Sequence, residues 1–102
     1  MKILWSPLAL ERIGEIADYL AQDNSAAAVK WVNTIFEKVA RLKNLPFTGR
    51  VVPEINHDQI RELLYGNYRI IYQVEGKIIS ILTVRHGKQI MPTEEIAHEK
   101  DL

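Results

Sequence analysis

The chain opens on a short apolar run, KILW (2–5), with the length and character of a strand. Ser6 and Pro7 then mark a helix start, an oxygen side chain to accept from free N–H groups and a proline where a missing N–H costs nothing. Ala9, Ile13, Ile16, Ala17 and Leu20 recur at helical spacing, while Glu11, Arg12, Glu15 and Asp18 fall on the other face. Gln22-Asp23-Asn24 breaks the pattern. Ser25 is expected to cap a second helix, with a buried stripe of Ala28, Val32, Ile35, Phe36, Val39 and Leu42. A connection of so few residues makes the two helices an antiparallel hairpin.

Beyond Asn44-Leu45-Pro46-Phe47-Thr48-Gly49 the period changes. VVPEI (51–55) reads as extended, with Pro53 marking an edge or an interruption. IRELL (60–64) reads as a strand and Tyr65-Gly66-Asn67 as a tight turn. YRIIYQV and KIISILTV are the two strongest strands, joined through Glu75-Gly76. Their near-continuous hydrophobicity puts them in the middle of a sheet. Met91-Pro92 closes the sheet region, and Thr93 is positioned to cap a short acidic turn of helix. The pattern predicts an α+β fold: an N-terminal strand, then a helical hairpin packed on one face of a twisted, mainly antiparallel sheet of three or four strands.

Length and composition narrow this further. At 102 residues, 47% of them hydrophobic and 25% charged, the chain suits one globular domain over 1–102 with a short acidic tail at 92–102. There is no cysteine, which excludes disulfides and thiolate metal sites and suits a reducing compartment. No stretch approaches the roughly 18 apolar residues of a membrane span. The N-terminus meets Glu11 too early for a signal peptide, so a cytoplasmic protein with no membrane partner is expected.

The net charge of zero argues against a broad nonspecific grip on nucleic acid. The charge is uneven, however. Gly49 to Lys88 holds six cations and four anions, whereas the tail from Gln89 is net −3. Serine–histidine motifs, phosphate-binding glycine loops and metal-ligand spacings are all missing, and His57, His86 and His98 are far apart. Neither a metal nor a cofactor is expected, and Trp5 and Trp31 read as core aromatics.

The basic set remains: Arg50, Arg61, Arg69, Arg85 and Lys88, with His86 beside Arg85. Arg69 begins one strand and Arg85-His86 ends its partner, so antiparallel pairing brings these groups to one end of the sheet. Glu54, on the preceding extended segment, is within reach of the same region. A carboxylate, an arginine and a histidine together would make a base, an anion clamp and an acid. Surface ion pairs at the sheet edge are the plainer alternative, and the residues alone favour it.

MKILWSPLALERIGEIADYL, LPFTGRVVPEI, IRELLYGNYRIIYQV and ILTVRHGKQ, in this order, resemble the RelE/ParE superfamily of bacterial type II toxins over nearly the whole chain. The resemblance implies a growth-inhibiting toxin neutralised by a cognate antitoxin from an adjacent gene. Toxin alone could form a homodimer, and with antitoxin a heterotetramer. It also implies one of two targets: RelE-like and YoeB-like members cleave mRNA on the ribosome, whereas ParE-like members poison DNA gyrase. For a YoeB-like, metal-independent endoribonuclease, the motif positions match Glu54 as base, Arg69 as phosphate clamp and His86 as acid. Gly87 stands where that branch has an aromatic, Ile60-Arg61-Glu62-Leu63 replaces the RelE-like lysines, and the charge is neutral. The ParE-like branch is therefore the nearer match, with gyrase the expected target and Arg50, Arg61, Arg69, Arg85 and Lys88 the expected surface for target or antitoxin. A decayed toxin that only binds antitoxin is the remaining alternative.

Overall fold

The computed structural model describes residues 1–87. The elements run β1 (Lys2–Trp5), α1 (Pro7–Ala21), α2 (Ser25–Ala40), a 3₁₀ turn (Arg41–Lys43), β2 (Arg50–Val51), β3 (Ile60–Tyr65), β4 (Tyr68–Glu75) and β5 (Ile78–His86). They build one sheet in the order β1-β5-β4-β3-β2. The two most apolar strands, β4 and β5, are interior, as their composition requires. β1 joins as a fifth strand, parallel to β5, and every other pairing is antiparallel.

Local chemistry explains the boundaries. Ser6 Oγ accepts from the Ala9 N–H at 2.9 Å and donates to the Leu82 carbonyl at 2.8 Å, so one hydroxyl caps α1 and ties it to β5. The second helix is capped by Asn24 rather than Ser25. Asn24 is extended and its Oδ1 accepts from the Ala27 N–H at 3.1 Å, while Ser25 is already helical. Two-residue loops join β3 to β4 and β4 to β5. Each has glycine first, Gly66 at φ +56° and Gly76 at φ +59°, a region other residues enter only with strain. The VVPEI segment holds sheet geometry only as far as Val51. Pro53 offers no N–H, and the chain turns back so that the Ile55 and Asn56 N–H groups both donate to the Val52 carbonyl.

The sheet separates two apolar layers. On the helix side Ala9, Ile13, Trp31, Ile35, Val39 and Leu42 pack on Ile70, Tyr72, Val74, Ile79, Ile81 and Val84. At about 1.5–3 kcal/mol for each large side chain buried, this layer is the main source of stability. Trp31 rather than Phe36 belongs to the stripe; Phe36 is 39% exposed and leans on Trp5 with ring centres 4.8 Å apart. On the opposite face a smaller cluster of Val52, Ile60, Ile71 and Leu82 lies beneath the loop from β2 to β3. The bulge opposite Ile71 and Tyr72, with Leu82 as the extra residue, puts Leu82 and Val84 on opposite sides although they are two residues apart. No described helix is long and apolar enough to cross a membrane. The acidic tail, the turn expected at Thr93 and Lys88 lie outside the described residues.

Candidate functional site

Register fixes where the basic residues stand. Arg69 on β4 is directly opposite Arg85 on β5, and Tyr68 is opposite His86. Side chains alternate along a strand, so Arg69 and Arg85 share the face away from the helices, whereas Tyr68 and His86 share the helix side. The Tyr68 and His86 rings meet edge to face at 5.4 Å. Glu62, on β3, is on the same face as Arg69, and β2 brings Arg50 directly opposite Glu62.

Four of these side chains form one ion network. Arg69 Nε donates to Glu62 Oε1 at 2.6 Å, and its two terminal nitrogens donate to Glu54 at 2.7 and 2.8 Å in a two-pronged pair. Arg50 Nε donates to the other Glu62 oxygen at 2.6 Å. Glu62 is sealed from solvent and the Arg69 side chain is only 8% exposed, while Glu54 and Arg50 close the network at the surface. Two cations and two anions balance, as burial demands. The Arg69 guanidinium holds the Glu54 carboxyl down at about 2, against an ordinary 4.5, and outweighs the opposing effect of partial burial. Glu54, and then Glu62, in turn push Arg69 above its ordinary value.

Arg61 is engaged separately. Its guanidinium donates to the Gly49 and Asp58 carbonyls at 3.1 and 2.8 Å and stacks over Phe47 at 5.1 Å. A hollow of about 400 Å³ over the ion network is walled by Arg50, Glu54, Leu64, Arg69 and Gly87. A second, of about 650 Å³, opens between α1 and the end of the β4–β5 hairpin, walled by Arg12, Tyr19, Tyr68, Arg85 and His86. The fold thus brings Glu54 and Arg69 into contact and puts His86 on the other side of the sheet. No group of acidic and histidine side chains among the described residues could hold a metal ion.

Glu62 is the member that reading the sequence left out. Its signal was present: in IRELL the alternation places it between Ile60 and Leu64 on one face, a position where a carboxylate has to find a cation.

Residues 3–91 match the model of the family described as the ParE toxin of the type II toxin–antitoxin system parDE. The chain belongs to the ParE toxin family. A protein of Sinorhizobium fredii (strain NBRC 101917 / NGR234) named "Putative toxin Y4kP" is 33% identical over 93 residues, 89% of this chain and 93% of its own length. A solved structure described as the chromosomal ParDE TA system from P. aeruginosa superposes with a TM-score of 0.69 at 26% identity, covering 84% of this chain and 95% of that one. The helical hairpin on a five-stranded sheet is thus the ParE-like fold, and this ParE toxin is the toxin half of a type II pair. Membership implies a cognate antitoxin as its partner.

Proposed function

We propose that this ParE toxin arrests growth in the cytoplasm by acting on DNA gyrase, and that Glu54, Arg69 and His86 do not form a nuclease centre. One observation carries the proposal: Arg69 is bound on three nitrogens by two carboxylates of its own chain. A phosphate clamp needs those N–H groups for the substrate. A general base is most effective with a pKa near the working pH, and a carboxyl held at about 2 has little affinity for the proton of a ribose hydroxyl. His86 would have to protonate a leaving group on the far side of the sheet from Arg69. Zero net charge points the same way, because a ribosome-bound nuclease gains from a basic surface.

Arg85, at the open end of the hairpin, is the basic group we assign to target and antitoxin, together with Lys88, which lies outside the described residues. Arg50, Arg61 and Arg69 serve to hold the fold in the shape that presents it. Inducing the toxin without its antitoxin, then mapping 5′ ends of cellular mRNA, tests this. Growth arrest with no new codon-phased cuts is expected. Codon-phased cuts appearing before growth stops would overturn it.

A further inference from the structure

We infer that the turn before β2 and the end of β3 form a docking patch for a folded surface of the target enzyme, one that presents an apolar side chain among carboxylates. This rests on the gyrase reading and deepens it, naming the face by which the toxin holds its target.

Three large apolar side chains stand in solvent here: Leu45 is 63% exposed, Phe47 51% and Leu64 50%. Leu45-Pro46-Phe47-Thr48 is a tight turn closed by the Thr48 N–H on the Leu45 carbonyl at 3.2 Å, and the Thr48 hydroxyl donates to the same carbonyl at 2.8 Å. The Tyr72 hydroxyl grips the chain at the Pro46 carbonyl and the Gly49 N–H. Arg61 bonds the Gly49 carbonyl and stacks over Phe47. The turn is thus fixed along its length, with Leu45 and Phe47 held in one arrangement. A surface ordered before it binds loses little entropy on binding.

Leu64 joins this turn to the end of the hairpin. β2 pairs with Arg61 and Glu62 and stops there, so among the described residues no strand lies beyond β3 at Leu64. The Leu64 side chain walls a cleft of about 160 Å³ with Leu42, Leu45 and Thr48. It also walls the hollow over the ion network, which Gly87 closes directly after Arg85 and His86. Patch and hairpin end are therefore one continuous face. Stable interfaces bury about 800 Å² of each partner around an apolar core with a polar rim. The hairpin end supplies charge, and the patch supplies the core.

Charge and size select the occupant. The charged residues walling the cleft are Lys38 and Arg41, and among the described residues no acid does. A second copy docking by the same patch would set cations against cations, whereas carboxylates around an apolar anchor complement them. The cleft has room for a side chain rather than for a helix or strand that folds on binding, which suits a folded enzyme surface and not a disordered antitoxin segment.

Purified Leu45→Asp and Arg41→Glu toxins, both changed at exposed positions, test the patch through inhibition of purified DNA gyrase. Leu45→Asp is expected to raise the dose for half-inhibition of supercoiling roughly tenfold or more, and Arg41→Glu about threefold or more. Thermal melting and co-purification with the antitoxin are expected to match the parent for both. Parental inhibition by either variant overturns the proposal and leaves gyrase standing as the target. Loss of antitoxin co-purification by a variant that melts like the parent overturns it in favour of the antitoxin as occupant. Self-association of the parent that Leu45→Asp abolishes overturns it in favour of a second copy. A parent toxin that arrests growth without inhibiting gyrase overturns both the patch and the gyrase reading.

Discussion

Glu62 and Arg69 form a 2.6 Å ion pair on the sheet face away from the helices, with the carboxylate wholly buried and the guanidinium nearly so. Breaking one partner of a buried pair leaves the other uncompensated, which costs roughly 3–5 kcal/mol. Glu62→Gln is therefore expected to lower the urea unfolding midpoint sharply, because Arg50 and Arg69 both lose their shared anion. Glu54 is 41% exposed and solvent can replace it, so Glu54→Gln should cost no more than about 1 kcal/mol. Equal losses in the two variants would contradict this division of labour.

The pH dependence of stability should isolate Glu54. Its carboxyl lies at about 2 when folded, against 4.5 for a free glutamate, because Arg69 favours the ionised form. A depressed folded value contributes stability that is fully present above the unfolded value and is lost as pH falls through the folded one. Thermal melts should thus weaken progressively from about pH 5 toward pH 2, and Glu54→Gln should flatten that part of the profile. A variant with an unchanged acid limb would show that the Glu54–Arg69 pair does not exist in solution.

Much of this was legible along the chain. Ser6-Pro7 marked the first helix, and the two long apolar strands were identified as the sheet interior, because both signals are local. The parallel pairing of β1 with β5 is set by contacts more than seventy residues apart, which no local pattern encodes. Asn24 and Ser25 are both good caps, and the choice depends on which residue takes the extended conformation. Arg69 and His86 read as one cluster because strand pairing brings both to one end of the sheet. Alternation separates them, since His86 lies opposite Tyr68 and so on the other face from Arg69. Phe36 reads as core by spacing but stands above the short β1, which leaves its ring partly uncovered.

Gly49 is required for space. A Cβ there would lie 2.5 Å from the Glu62 carbonyl oxygen and 2.6 Å from the Tyr72 hydroxyl. That hydroxyl is buried, accepts from the Gly49 N–H at 2.9 Å and donates to the Pro46 carbonyl at 2.8 Å, pinning the loop that leads into β2. Gly49→Ala should destabilise by about 1–3 kcal/mol through overpacking. Tyr72→Phe should cost about 1–3 kcal/mol, because buried backbone groups lose their partner. Denaturant unfolding of both variants checks this, and a neutral Gly49→Ala would mean that the loop moves freely.

His86→Ala should leave growth arrest intact. Removing a proton-transfer group from an enzyme costs about 10²–10⁴-fold in rate, which would abolish toxicity if His86 were the acid of a nuclease. His86 instead contacts the Tyr68 ring at the mouth of the hollow beside α1. Colony counts after induction of folded His86→Ala protein should match those of the parent, and full survival would contradict that expectation.

Supercoiling by purified DNA gyrase tests the central claim most directly. With relaxed plasmid, ATP and increasing purified toxin, the formation of supercoiled product should fall with toxin dose, and adding the cognate antitoxin should restore it. Undiminished supercoiling at saturating amounts of toxin that arrests growth in cells would contradict gyrase as the target.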